Sequence, residues 1–117
     1  DGEIERMQHD ATKSQLANAD QAIQKLAAIL RREKAAGTKV FKIIHGYGSS
    51  GSGGRIRKEI RKYLQMCQSR GFITGFIPGE ELSIFNEKTR TALALCPDLA
   101  KDRDLERHNN GITVILL

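Results

Sequence analysis

Five glycines fall within residues 46–54, and this cluster constrains the fold more than any other feature of the chain. It follows a short β-branched and aromatic run at residues 40–44, which predicts a buried strand. It precedes an amphipathic stretch at residues 55–70, whose apolar side chains recur at helical spacing. The sequence therefore predicts a strand, a glycine loop and a helix in succession. Open α/β sheets place ligands at the edge where such a strand ends.

Hydrophobic periodicity predicts another helix ahead of this unit. Apolar residues recur on one helical face between residues 16 and 30. Thr12 or Ser14 is a suitable N-cap, and Gly37 stands just past the last turn, where glycine commonly ends a helix. Residues 4–8 form a weaker candidate for an edge strand.

The second half of the chain contains two further apolar runs separated by a long polar stretch. Residues 72–77 predict a second strand, which Pro78 ends. A short helix is expected over residues 87–95, with Asn86 as its cap. Residues 111–117 form the clearest strand in the sequence, and we expect it to pair antiparallel with a neighbour.

These elements predict one domain of the α/β class. A chain of 117 residues supports a single domain, spanning residues 1–117. The order of elements, β-α-β-α-β-(α)-β, predicts a mixed sheet with helices packed on it. The connection at about 78–109 is enlarged, and we expect Phe85, Leu93 and Leu95 to hold it against the body of the domain.

Basic charge is concentrated in one part of the chain. The whole sequence has 19 Lys and Arg against 14 Asp and Glu, a net charge of +5. Residues 31–62 hold ten of the basic residues and two acidic ones, a local net charge of +8, whereas the remainder carries −3. This asymmetry favours a polyanion partner, with a merely solvated basic surface as the alternative. The absence of Trp argues against a wide aromatic platform for stacked bases.

The residues around the glycine cluster suit a phosphate. The predicted strand delivers His45 to the sheet edge, and glycines let a ligand approach the backbone amides closely. The following helix adds free N–H groups and the positive end of its dipole. Arg55, Arg57 and Lys58 are expected in its first turn, where cations oppose the dipole unless an anion binds. Arg61 continues the same basic face.

Two nucleotide-binding loops are excluded. A P-loop needs Gly-x-x-x-x-Gly-Lys-Ser/Thr, and no Lys-Ser or Lys-Thr ends this loop. A dinucleotide-binding fold needs a longer chain and an acidic residue after a later strand. The backbone phosphate of a nucleic acid is the better candidate. A flexible surface loop, and a His45 with a purely structural role, are the alternatives.

The run His45-Gly46-x-Gly48, followed by Gly53-Gly54-Arg55-Ile56-Arg57 and an amphipathic helix, resembles the Smr (small MutS-related) domain family. The resemblance extends from about residue 9 to residue 117. It implies an α+β two-layer sandwich with the element order βαβαββ, a fold like the C-terminal domain of translation initiation factor three. It also implies binding to DNA or RNA and, as in several family members, nicking or RNA-cleaving endonuclease activity. The family's opening Leu-Asp-Leu-His motif has Met7 where the Asp belongs.

The resemblance also assigns roles to residues. In an endonuclease that hydrolyses phosphodiester bonds, His45 would act as general base or acid, with His9 as its partner. Two alternatives stay open, a non-catalytic DNA- or RNA-binding module and a basic-faced protein interaction domain. The residues expected to bind nucleic acid are Gly46, Tyr47, Gly48, Gly51, Gly53, Gly54, Arg55, Arg57, Lys58 and Arg61.

Cysteine usage and hydropathy bear on cofactors and location. Cys67 and Cys96 lie 29 residues apart with no paired ligand spacing, so we expect two reduced thiols. No ligand cluster for a divalent metal is visible, although a metal stays compatible with hydrolysis. No apolar run approaches the ~18 residues of a membrane span, and residues 1–10 do not resemble a signal peptide. We therefore expect a cytoplasmic protein with no membrane partner.

Overall fold

The computed structural model of the chain describes residues 19–46 and 53–117. The predicted edge strand at residues 4–8, the predicted caps Thr12 and Ser14, and the middle of the glycine loop lie outside the described residues. The helices are α1 (Ala19–Ala35), α2 (Gly53–Ser69) and α3 (Glu87–Leu95), the strands are β1 (Val40–Ile44), β2 (Gly75–Pro78) and β3 (Ile112–Leu116), and two 3₁₀ turns cover Gly79–Glu81 and Pro97–Lys101.

The described strands form a three-stranded sheet with the last strand in its centre, in the order β1-β3-β2. The strand β3 pairs antiparallel with both neighbours, placing Thr113 opposite Ile43 on one side and Pro78 on the other. The predicted antiparallel pairing of the last strand is confirmed. The prediction of a mixed sheet is wrong for the described strands. Although β1 and β2 run in the same direction, β3 separates them, so no parallel ladder forms between them.

One face of the sheet is covered by α1 and α2. Phe41 and Ile43 of β1 and Ile115 of β3 point to this side because alternate residues of a strand share a face. The apolar stripes of both helices pack on them, as their helical periodicity predicts. The fully buried helix residues in this core include Leu26, Leu30, Ile56, Ile60 and Leu64.

The other face of the sheet is covered by residues 79–110. Ile77 and Val114 point to this side and form a second core with Leu82, Ala92 and Leu99. The sheet therefore lies between two layers, and the predicted two-layer sandwich is corrected to three. The enlarged connection is the reason, because its apolar residues need a surface to bury against and the second sheet face provides it.

The side chains that hold this connection differ from those predicted. Phe85 is 85% exposed and Leu95 is 47% exposed, so neither holds it against the domain. Leu93 is partly buried against the second core, as expected. The short helix α3 is confirmed at the predicted residues, and its predicted cap is confirmed because Asn86 Oδ1 accepts from the Thr89 backbone N–H at 3.0 Å.

A charged cluster also ties the connection to β1. Lys42 Nζ donates to Asp104 Oδ2 at 2.8 Å and to Asp102 Oδ1 at 3.2 Å, and Asn109 Nδ2 donates to the other Asp104 oxygen at 2.8 Å. Burial alone would lower the pKa of Lys42, but the hydrogen bonds and charges of the two carboxylates raise it. The positive charge of Lys42 is therefore neutralised within the protein and does not contribute to a basic surface.

Both cysteines are free thiols, with Cys67 buried and Cys96 partly exposed. In the described part of the chain, no helix is long and apolar enough to cross a membrane.

Candidate functional site

Three strand ends meet at one edge of the sheet beneath the first half of α2. His45 follows the end of β1, Glu80 follows β2, and Thr113 lies near the start of β3. Because β3 runs antiparallel to its neighbours, its beginning lies beside their ends. The topology thus gathers polar groups from distant parts of the sequence at the edge where the glycine loop leaves the sheet.

The chain turns sharply at Gly46. The backbone N–H groups of His45 and Gly46 both donate to the carbonyl oxygen of Gly111, each at 3.0 Å. Gly46 has φ +89°, a left-handed conformation that side-chain-bearing residues rarely adopt. The extended backbone of β1 therefore does not continue through this residue, whose conformation favours a glycine.

His45 is almost completely buried, with 4% of its surface exposed. Its Nδ1 lies 3.1 Å from the carbonyl oxygen of Gly46, to which it donates. Its Nε2 lies 2.9 Å from Thr113 Oγ1 and accepts from that hydroxyl, since the Nδ1–H tautomer follows from the carbonyl partner. Both ring nitrogens are therefore engaged inside the protein.

The same surroundings keep the imidazole neutral. Burial lowers the pKa of His45 to about 4, because the charged form loses its hydration. The Gly46 carbonyl opposes this pKa shift, whereas the positive charges of Arg61 and Arg57 add to it. Near neutral pH the ring is uncharged and serves as a hydrogen-bonded link between the Gly46 turn and β3.

Arg61 makes a two-pronged ion pair with Glu80. Its Nη1 and Nη2 donate to the two carboxylate oxygens at 2.8 and 2.9 Å. Nη2 also lies 3.3 and 3.4 Å from the carbonyl oxygens of Asn110 and Ile112. Burial alone would raise the pKa of Glu80, but the Arg61 hydrogen bonds and charge lower it, with a smaller contribution from Arg57. Glu80 is thus a carboxylate that already engages Arg61.

A close backbone approach brings Glu80 to this position. A Cβ on Gly79 would overlap the backbone oxygen of Asn109 and would lie 2.7 Å from that of Ile112. The 3₁₀ turn that starts at Gly79 therefore packs directly on the backbone before β3, which sets Glu80 opposite Arg61.

The outer face of α2 presents cations to solvent. Arg55, Lys58 and Lys62 are exposed, and Arg57 is half-buried. The helix begins at Gly53, two residues earlier than predicted, so of the three cations expected in its first turn only Arg55 stands there. Arg57 and Lys58 belong to the second turn, which corrects the prediction. That first turn has no acidic residue to complement the positive end of the dipole.

The basic residues of the segment 31–62 do not lie on one common surface. Lys42 and Arg61 are paired with carboxylates. The cations of α2 lie near the Gly46 turn, whereas Arg31 and Lys34 lie near the carboxyl end of α1, at the opposite end of β1. The local charge of +8 is thus not one continuous patch.

Three residues of the site were not predicted from the sequence: Thr113, Glu80 and Gly111. Thr113 carried a signal, because it is the one polar residue in an otherwise apolar strand. The other two carried none, since their roles depend on contacts with distant residues. Of the predicted site residues, His9, Tyr47, Gly48 and Gly51 lie outside the described residues. Within the described ranges, no three His, Cys, Asp or Glu side chains are grouped to hold a metal ion.

The comparison with protein-family models gives one decisive match. The Smr domain model matches residues 15–83, more than half of the chain. The chain belongs to the Smr family. The matched residues run from α1 through β2 and include His45, Gly46, Arg61 and Glu80, so the expected family resemblance is confirmed. Family membership associates this Smr domain with nucleic-acid binding. Neither the curated proteins nor the solved structures gave a significant match.

Proposed function

We propose that this Smr domain binds nucleic acid through its sugar–phosphate backbone, at the amino-terminal half of α2. One observation carries the proposal, the exposed position of Arg55 in a first helical turn that has no acidic residue. A cation at this position opposes the helix dipole and costs about 0.3 to 1 kcal/mol at an exposed site. A bound phosphate turns this cost into a favourable contribution, because its negative charge attracts both the Arg55 cation and the free N–H groups of the first turn.

The neighbouring side chains support the same partner. Lys58 and Lys62 extend the exposed cations along the helix, one turn apart, as contacts to successive phosphates require. Such contacts are independent of base sequence. The glycines at 46, 53 and 54 flank this face, and we propose that the loop between them approaches the phosphates through its amides.

We propose that the buried residues hold this site in shape. His45 and Thr113 tie the Gly46 turn to β3, while Arg61 ties α2 to Glu80. Arg61 was predicted to bind nucleic acid. Its ion pair with Glu80 supports a second role, in which Arg61 positions α2 against the turn after β2. Because Glu80 is partly exposed, a bound phosphate would compete with it for Arg61.

Phosphodiester hydrolysis at this site stays a prediction. His45 would be the general base or acid, yet the one proton of its neutral ring is donated to the Gly46 carbonyl oxygen, and the lone pair on Nε2 that a base would use already accepts from Thr113. Its predicted partner His9 lies outside the described residues. The geometry of the described part therefore favours phosphate binding over proton transfer by His45.

We also propose that residues 1–117 form one Smr domain with the topology of the C-terminal domain of translation initiation factor three. In that topology the run at residues 4–8 would add a strand to the sheet and complete the predicted βαβαββ order. The long segment before β3 would be this domain's own addition, and it lies mostly beyond the matched residues 15–83.

Binding is tested with a charge-removing pair of substitutions. Arg55→Ala with Lys58→Ala should weaken affinity for all nucleic-acid sequences to a similar extent. It should also lower the slope of log affinity against log salt by about 1.5, because two phosphate contacts are lost. The matched control is Lys101→Ala with Arg107→Ala, two exposed cations on the opposite layer. A salt slope that is equal in both variants would remove this face from the binding site.

Cleavage is tested separately on supercoiled plasmid and on structured RNA. Intact substrates in the presence of measurable binding would identify a binding module. Cleavage that His45→Ala abolishes while nucleic-acid affinity and the free energy of unfolding are kept would assign hydrolysis to His45, because loss of its structural contacts would change those two quantities as well. Affinity for an acidic protein with none for nucleic acid would favour the protein interaction alternative.

A further inference from the structure

A groove lies at the carboxyl-terminal ends of α1 and α2, far from the Gly46 turn. Its volume is about 460 Å³, within the range of small-molecule sites. Its lining residues on α2 run from Tyr63 to Cys67, which is about 12 to 18 Å beyond Arg55 at the helical rise of 1.5 Å per residue. The groove is therefore separate from the proposed phosphate-binding face, although both lie along the same helix.

The lining combines an aromatic interior with a cationic rim. Tyr63 and Phe72 are half-buried in it, beside the buried Cys67. None of the described lining residues is acidic. The rim carries three exposed cations, Arg31, Lys34 and Arg70.

These cations exceed what the two helix ends require. Each helix carboxyl end carries roughly half a negative charge, so α1 and α2 together supply about one. Three full positive charges leave an excess that attracts an anion into the groove.

Lys34 covers one of the two aromatic rings of the groove and so determines which ring can contact a ligand. Its Nζ donates to the Phe72 carbonyl oxygen at 2.6 Å and lies 4.4 Å from the centre of the Phe72 ring. The Phe72 face is thus covered by a cation. Tyr63 is the remaining aromatic ring of the lining, and the positive charge of Arg31 acts on it.

We propose that this groove binds a nucleoside phosphate, with the base against Tyr63 and the phosphate between Arg31 and Arg70. A flat aromatic ring joined to an anion matches the lining better than a purely apolar or purely anionic ligand. The ligand is either a free nucleotide or a nucleotide of the strand bound along α2. The second source rests on the proposed function, since the strand would pass Lys58 and Lys62 before it reaches the groove.

The two sources are separated by titrating the whole chain with adenosine monophosphate, inorganic phosphate and an oligonucleotide of about twelve residues, while backbone amide resonances are followed by NMR. We expect adenosine monophosphate to shift the amides of Tyr63 and Phe72, and phosphate alone to bind more weakly. Arg31→Glu with Arg70→Glu should lower this affinity at least about tenfold. Lys101→Glu with Arg107→Glu is the matched control and should leave it unchanged.

The outcomes distinguish this inference from the proposed function. Groove shifts with the oligonucleotide that Arg55→Ala with Lys58→Ala weakens would support a strand nucleotide. Groove shifts with the mononucleotide alone, and no oligonucleotide binding, would support a free nucleotide and refute the proposed function. Oligonucleotide binding at α2 with no groove response to any of the three ligands would overturn this inference and leave the proposed function standing. Equal affinity for inorganic phosphate and adenosine monophosphate would also overturn it.

Discussion

Lowering the pH from 7 to 5 should reduce the free energy of unfolding by about 2 kcal/mol, and His45 should account for the loss. The pKa of His45 is about 4 in the folded domain and near 6.5 in the unfolded chain. Between these values the unfolded chain binds a proton that the folded domain does not. The stabilisation is therefore complete above about pH 6.5 and is lost progressively as the pH falls toward 4.

The magnitude follows from the size of this pKa difference. The full separation corresponds to about 3 kcal/mol, of which about 2 are lost by pH 5. The ion-paired carboxylates do not change stability in the same pH range as His45. The pKa values of Glu80 and Asp104 are lowered by their ion pairs despite burial, so their stabilising contributions are lost only at more acidic pH, below about 4.5.

The assay is urea unfolding of the chain at pH 7, 6 and 5, together with NMR titration of the histidine rings. The variant His45→Asn, which keeps a side-chain donor and an acceptor, should lose most of the pH dependence in this window. A drop of the same size in that variant would refute the assignment. If the variant does not fold, the ring titration decides, since a His45 that titrates near pH 6.5 in the folded domain contradicts the proposed burial effect.

Three substitutions test other contacts of the site and of the second core, each by urea unfolding. Thr113→Val should cost about 1 to 3 kcal/mol because it leaves the buried His45 Nε2 without a donor, whereas Thr113→Ser should keep most of this stability; an unchanged free energy of unfolding in the Val variant would contradict this. Gly79→Ala should cost at least about 3 kcal/mol, since its Cβ overlaps the Asn109 backbone, and full stability would show that the turn can move away. Lys42→Met should cost about 2 kcal/mol at neutral pH by leaving the buried Asp104 unpaired, and a neutral result would mean that water replaces the ammonium.

Local pattern accounts for what the sequence predicted well. The helix α3 needs only a capping residue at 86, good helix formers at 87–95 and a following proline, all within one short stretch. The strand β3 is an uninterrupted apolar run, and α1 and α2 have regular apolar stripes.

Contacts between distant residues account for what the sequence did not predict. Lys42 and Asp104 are 62 positions apart, and Arg61 and Glu80 are 19 apart, so no local pattern links them. Phe85 was misjudged because an aromatic residue favours burial on average, yet its place in the loop before α3 leaves it in solvent. The number of layers depended on whether residues 79–110 reached the second sheet face, which the order of elements does not determine.

The central position of β3 connects the proposed phosphate site to the segment that precedes it. The turn at Gly46 is closed by the carbonyl oxygen of Gly111, and His45 is held by Thr113. Both partners belong to the last strand or to the residue before it, and that strand follows residues 79–110 in the chain, which pack on the opposite face of the sheet. Because closing such long-range contacts costs chain entropy, the Gly46 turn is expected to acquire its structure only when β3 is in place. Loss of contacts in the second core should therefore weaken nucleic-acid binding at α2, although none of those residues lies on the cationic face.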